Sequence, residues 1–541
     1  METLAAFFPV VLLIVLMVKR HGMPSAKALP LVALVTYGTV LAVFRFGFVQ
    51  VNAVVLRGLL LAWTPILIIA GAIFLFRTLE ATGGLQVIRV WLNAVTRNRI
   101  AQLMMIGWAF PFLIEGASGF GTPAALAAPI LVGLGFPPVR VATLTLIMNT
   151  VPVSFGAIGT PTWFGFGPLG LAAADTRAIG FQAAIINGLA ALVVPLVALA
   201  FVVTWRSIRR NLPFIVASIG ATVLPYIAVA RVSTEFPALL GGAIGLLVTI
   251  GLAHRGWGLS PEATGLREPM SEEDVPVHGG ERGLPRRRDL IRATFPLWGT
   301  ILVLIVTRIP ALGLKGWLTA TEPAWDLPLG SLGTFSISAA LVLEWRQMLG
   351  TSEAWSHSLL YVPSLVPFVL VSLIAYAWAG RGWQPCRRVL RETVEQMRQP
   401  TLALLGALVF VTLMMMGGTG SPVARMGDAL AGLTGEQWYV GAPFLGALGS
   451  FFSGSATISN LTFGGIQQSI ALSLGLDRNT VLALQSAGAA MGNMVCINNI
   501  IAVASVLGLR RQEGPILKKT VWALIPYGLV AVAAGQLLVL V

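Results

Sequence analysis

The sequence predicts an all-α polytopic membrane protein of about 12 transmembrane helices, with two opposed re-entrant hairpins arranged as an inverted repeat. Three observations predict it. Of 541 residues, 56% are hydrophobic and only 11% charged, whereas soluble domains carry about 25% charged residues. Mean hydropathy is +0.83, and apolar runs of about 20 residues, each long enough to cross a bilayer, recur along the chain. The basic residues gather between those runs. A net charge of +14, which in a soluble chain would suggest a nucleic-acid partner, therefore reads as the positive-inside pattern, with the lipid bilayer as partner and no nucleic acid.

The run 4–18 comes first. Lys19, Arg20 and Lys27 follow it, the reverse of a secretory signal's charge order, so it reads as an anchor with the N-terminus outside. Basic clusters at 19–27, 77–99, 206–210, 255–292, 381–398 and 510–519 then belong in the cytoplasm. Spans near 4–18, 28–44, 56–76, 139–160, 180–205, 213–231, 238–254, 291–309, 356–380, 401–418, 480–505 and 520–541 connect these without conflict and leave both termini outside. The stretch 328–349 fits no crossing. Its "LEWRQ" (Leu343 to Gln347) suits lipid poorly, and it reads as a short re-entrant or interfacial helix. Segment 259–290 is polar and rich in Pro and Gly, and reads as a cytoplasmic linker between an N-terminal half, 1–258, and a C-terminal half, 291–541.

Two apolar stretches must begin and end on one side. Residues 100–136 enter from the cytoplasm and 436–475 from outside, so the hairpins oppose each other. Their turns read "EGASGFGTP" (Glu115 to Pro123) and "SGSATISN" (Ser453 to Asn460). Each is followed by an interrupted span, at "NTVPVSFGAIGTP" (Asn149 to Pro161) and "GNMVCINN" (Gly492 to Asn499). An offset of 340 residues superposes the two hairpin-plus-span layouts with few identities. Broken helices in matching positions of two halves point to a secondary transporter with its site near the membrane midplane.

Irregular backbone at membrane depth is tolerated only where protein or a watery cavity surrounds it, so the turns line a cavity. Gly116, Gly119 and Gly121 let backbone approach a ligand, and helix N-termini after the turns favour an anion. Ser118, Thr122, Asn149, Thr150 and Ser154 from the first half are candidate substrate ligands. Ser453, Ser455, Thr457, Ser459, Asn460 and Asn493 are those of the second. Together they suit a small molecule with carboxylate and hydroxyl groups. Glu115 is an acid at membrane depth, which costs at least ~2.5–3.5 kcal/mol when charged, so it is expected to be paired or to carry a coupled proton. Arg308, at the end of a span, is its candidate charge partner. Packing of small residues at helix crossings is the plainer alternative for the glycines and threonines.

A channel would need a continuous polar lining, and an enzyme a nucleophile or metal constellation. The four histidines and two cysteines show neither pattern, so no catalytic residue, metal or cofactor is expected. Asn- and Thr-bearing turns can also hold sodium, which leaves a sodium-coupled carboxylate or sulfonate transporter open, although Glu115 favours protons.

At "FLIEGASGFGTPAALAAPILVGLGF" (Phe112 to Phe136), "NTVPVSFGAIGTP" and "GSFFSGSATISNL" (Gly449 to Leu461) the chain resembles the bacterial L-lactate permease family. The resemblance extends over most of the chain, including "VTRIPALGLK" (Val306 to Lys315). It implies proton symport of L-lactate, or of glycolate or D-lactate, across the bacterial inner membrane, where the charge-based topology puts both termini in the periplasm. The acid of the family's Glu-Gly-Ala stretch falls at Glu115 and its second glycine-rich turn at Ser453 to Asn460. The run "GNMVCINNI" departs from the family pattern in its asparagines. Fold-level analogy adds an elevator-type mechanism and a homodimer.

Overall fold

Helices make up nearly all of the regular structure, because a backbone in hydrocarbon satisfies its own N–H and C=O groups only in helices or closed barrels. The computed structural model describes residues 2–18, 23–119, 122–262, 264–267, 286–308, 312–362, 365–380, 383–509 and 512–540. Among the described residues eight helices are long and apolar enough to cross a membrane, and two bent helix pairs raise the number to ten. The chain divides into two compact units, Met1–Val87 with Arg287–Leu430 and Ile88–Arg286 with Ala431–Val541. Each unit draws on both sides of the 259–290 segment, a different division from that into sequence halves.

In the first unit Ser25–Ala42 packs along Trp383–Met415, a helix of 33 residues. That helix fuses the described part of the basic cluster 381–398 with the predicted span 401–418. The two approach closely at Gly406, where a Cβ would overlap the Pro30 backbone, as small residues permit in membrane helix pairs.

The predicted helix at 328–349 is instead part of an antiparallel sheet, so the fold is not all-α. Strands β1 (Ala324–Pro328), β2 (Thr334–Ser338), β3 (Val342–Arg346) and β4 (Trp355–Ser358) form a meander in the order β1-β2-β3-β4. The physical reason lies in the period-two runs "TFSIS" and "VLEWR", with turns at Gly330 and Gly333, which favour strands over a helix. Phe335 faces Trp345 across the β2–β3 pair. Because β4 occupies 355–358, the predicted span 356–380 starts later, with helix at Leu365–Leu370 and Val371–Trp378. His357 on β4 is buried and lies 2.8 Å from Thr64 Oγ1 through Nδ1. Burial pushes its imidazole down to about 4, so this clasp keeps a neutral ring at physiological pH.

The second unit holds both helical hairpins. The first rises through Arg99–Gln102, a π-helical Leu103–Ala109 and Phe110–Ala117. Pro111 can donate nothing to the preceding turn, which accounts for the altered winding below it. The chain turns at Gly119, with φ of +63°, and returns as Thr122–Val132. Pro138–Met148 follows, and after a break Val153–Leu169 continues at an angle of 59°. The second hairpin runs through Trp438–Ser453, turns at Gly454 with φ of +70°, and returns as Ala456–Leu474. Its span breaks between Arg478–Val495 and Ile497–Val506, bent by 41°. Pro138–Met148 packs on Glu513–Leu540, and Arg478–Gly492 packs on Ala173–Ala190.

Part of the 259–290 segment is ordered against this unit. Val203 bridges to Leu266, and Thr204 N–H donates to Gly265 O at 2.9 Å. Residues 263 and 268–285 lie outside the described residues.

Candidate functional site

The two tips and the two breaks meet around one narrow cleft. Its walls are Glu115 and Gly119 of the first hairpin, Val153 to Pro161 in part from the first broken span, Gly454 to Thr457 of the second tip, and Asn493 of the second break. The free volume is about 10 Å³, roughly the room one water requires. The cleft is closed in this conformation. Val153 and Ala456 pack with Ala489 and Ala490, which backs part of the wall with apolar side chains.

Glu115 is 2% exposed, and its Oε2 accepts a hydrogen bond from Asn149 Nδ2 at 3.0 Å. The Asn149 Oδ1 atom is buried without a partner among the described residues. The break positions both groups. Asn149 ends the Pro138–Met148 helix, and Gly156 lies so close to the acid that a Cβ there would overlap Glu115 Oε1. Ala157, Ile158 and Gly159 then follow with φ of 44°, 56° and 70°. Left-handed backbone is strained for a β-branched residue such as Ile158, and it persists only where the surroundings hold it. Here Trp163 Nε1 donates to Ile158 O at 2.8 Å.

The second tip is built from hydroxyls. Ser453 Oγ donates to Gly449 O at 2.8 Å, and Ser455 caps the returning helix by accepting from Ile458 N–H at 3.3 Å. Thr457 lies 3.4 Å from Thr160, hydroxyl to hydroxyl, across the cleft. Asn493 is buried and receives a hydrogen bond from Asn499 Nδ2.

Other predicted ligands are turned elsewhere. Ser459 Oγ donates to Gly446 O at 2.7 Å, and Asn460 Nδ2 donates to Pro161 O at 2.9 Å. Thr150 donates to Ile147 O and Ser118 to Ile114 O within their own turns. Ser154 Oγ donates to Ser486 O at 3.2 Å, behind the cleft. Gly116 serves close packing, since a Cβ there would overlap the Leu239 backbone. Gly121 and the side chains of Thr122 and Arg308 lie outside the described residues. The sequence reading missed Gly156, Thr160 and Pro161 in the cleft, although all three stand inside the quoted "NTVPVSFGAIGTP".

It also missed a polar chain behind the cleft. Tyr527 OH donates to Asn187 Oδ1 at 2.9 Å, and Asn187 Nδ2 donates to Ser154 Oγ at 2.9 Å and Tyr226 OH at 3.1 Å. Tyr226 OH donates to Val151 O at 3.3 Å, inside the break. Lone polar groups within apolar runs were the available signal. No group of His, Cys, Asp and Glu able to hold a metal occurs among the described residues.

Comparison with known proteins extends this geometry. A protein of Haemophilus influenzae named "Putative L-lactate permease" is 47% identical over 99% of this chain and 98% of its own. An L-lactate permease of Bacillus subtilis is 25% identical over 84% of this chain and 81% of its own. A glycolate permease of Escherichia coli is 27% identical over 85% and 81% respectively. The L-lactate permease family matches residues 2–541, and the chain, a multi-pass membrane protein, belongs to that family.

Proposed function

We propose that this transporter takes up L-lactate, or a related 2-hydroxy monocarboxylate such as glycolate or D-lactate, together with a proton across the inner membrane. A permease carries its solute unchanged, so the chain is not an enzyme. The relatives named for lactate and glycolate support the substrate class, because both compounds carry a carboxylate beside a hydroxyl. The observation that carries the coupling reading is the buried Glu115 in the wall of the cleft, bonded to Asn149 behind it.

The substrate carboxylate is placed at the N-terminal turn of Ala456–Leu474, where Ala456 and Thr457 line the cleft and the helix dipole favours an anion. Thr160 and Thr457 serve its hydroxyl. A second negative charge in so small and buried a space is strongly unfavourable, so Glu115 must be neutral when the substrate anion enters. Loss of that proton on the other side then favours release. Uptake therefore rises as the outer side is acidified. Two features support two-fold pairing of the hairpin-plus-span layouts. Asn187 and Tyr527, 340 residues apart, touch each other. Exchanging the helices related by that offset turns the contact of Pro138–Met148 with Glu513–Leu540 into that of Arg478–Gly492 with Ala173–Ala190, as an isologous arrangement requires. In this reading the hairpins are re-entrant from opposite faces and the second unit carries the cleft in an elevator-type cycle.

The test uses purified protein in proteoliposomes. Wild type accumulates labelled lactate under an imposed pH gradient and not under a sodium gradient. Glu115→Gln loses gradient-driven accumulation by about 100-fold or more while still exchanging labelled for unlabelled substrate. Accumulation driven by sodium, or undiminished accumulation in the variant, removes Glu115 from the coupling mechanism.

A further inference from the structure

The second unit has a larger cavity that the transport site does not use. It measures about 670 Å³ and lies where the base of the first hairpin, Thr96 to Arg99, meets residues between Ala253 and Glu262, together with Thr264. Its walls are held in place. Asn98 Nδ2 donates to Ser260 O at 3.3 Å, and Ser260 N–H donates to Asn211 Oδ1 at 2.9 Å. Asn98 Oδ1 in turn accepts from the N–H groups of Ile100 and Ala101.

The charge in this cavity is unbalanced. Arg97 is exposed, and among the described residues it has no ion pair or hydrogen bond. Arg99 is half-buried, bonded to Leu134 O and stacked 5.1 Å from the centre of the Phe136 ring, which fixes its guanidinium. The one described acid in the wall, Glu262, is bound to Arg210. Thr96, Ser260 and Thr264 also line the space. Two arginine forks, one of them fixed, with no free carboxylate among the described residues of the wall, match the planar, multidentate recognition of a phosphate group.

The geometry points to a binding site for a phosphate-bearing anion at the base of the first hairpin, separate from the transport cleft. The group can come from the headgroup of an anionic phospholipid or from a soluble phosphate compound. A volume of this size holds a headgroup or a small organophosphate, and basic pockets at helix ends recognise anionic lipids through the same contacts.

The experiment uses the full-length protein, wild type, Arg97→Gln, Arg97→Lys and, as a control at an exposed arginine of the same unit, Arg177→Gln. Native mass spectrometry counts copies of phosphatidylglycerol retained from mixed phosphatidylglycerol and phosphatidylcholine micelles. Calorimetric titration of lipid-depleted protein with inorganic pyrophosphate reads the soluble arm. At least one arm should show saturable binding that weakens about tenfold in Arg97→Gln, is largely restored in Arg97→Lys, and is unchanged in Arg177→Gln. Dependence in the lipid arm alone assigns the headgroup, and dependence in the pyrophosphate arm assigns a soluble ligand. If neither arm responds to Arg97, or Arg177→Gln reduces binding equally, the site is refuted.

Discussion

The first hairpin meets its broken span through an acid and an amide, Glu115 and Asn149, 3.0 Å apart. The second meets its own through neutral groups. Gln485 Nε2 donates to Ser459 Oγ at 3.1 Å and to Asn460 Oδ1 at 3.3 Å, while Gln485 Oε1 accepts from Gln467 Nε2 at 2.9 Å. Gln467 Oε1 is itself satisfied by Trp438 Nε1 at 2.7 Å. The amides of that connection satisfy one another, while the Ser450 and Ser486 hydroxyls of the same hairpin and span are buried without a described partner. The other leaves Asn149 Oδ1 without a described partner and stands beside left-handed backbone at two non-glycine positions, Ala157 and Ile158. Amides that bond one another rigidify a buried network, whereas left-handed backbone at non-glycine positions marks a strained place. On the proposed mechanism, the first hairpin is the one that changes its charge and the second the one that holds its shape.

The sharpest way to break this comparison is at a pair of positions related by the 340-residue offset, Gly156 and Cys496. Gly156→Ala adds a methyl group that collides with Glu115 Oε1, and a displacement of about 1 Å at a working group can lower rates about 100-fold. Cys496 is buried with a free thiol, and Cys496→Ala removes volume without touching an acid. Initial uptake rates in proteoliposomes should fall about 100-fold for Gly156→Ala and stay within about threefold of wild type for Cys496→Ala. Equal losses would mean that the two breaks are functionally alike.

Gln485→Ala tests the other side. It leaves Gln467 and Asn460 short of partners in a buried setting, which costs about 1–3 kcal/mol. The thermal unfolding midpoint should drop while the pH dependence of uptake by the remaining folded protein is unchanged. A shifted pH dependence would place the second connection in the coupling step.

Ser455→Ala should have the smallest effect. It removes the cap on Ala456–Leu474, worth about 1 kcal/mol, and Ser455→Asp should restore the cap. A lowered midpoint in the alanine variant, recovered in the aspartate variant, is the expected result. If the aspartate variant regains stability but transports poorly, the added anion competes with substrate at that helix end, which sharpens the assignment of the second tip.

What the sequence by itself determined are the features set by local chemistry. Runs of apolar residues dictate helices because hydrocarbon offers the backbone no other partner. Gly119 and Gly454 dictate turns because they accept positive φ, and Asn149 to Pro152 interrupt a helix because proline removes a donor. Glu115 stands out because an acid is expensive in such surroundings. Which polar groups face the cleft was decided only in three dimensions. Ser455 and Thr457 line it while Ser459 and Asn460, one turn further along the same helix, bond to Gly446 and Pro161. Gly116 and Gly156 look alike in sequence, yet one admits a neighbouring backbone and the other admits Glu115 itself. The sheet at 324–358 likewise depends on pairing between strands, which a run of apolar residues does not announce. Local composition sets what each segment can form, but the rotation of a helix and the distance to its neighbour depend on residues far away in the chain. That is why the cleft, assembled from stretches more than 300 residues apart, becomes visible only in the folded protein.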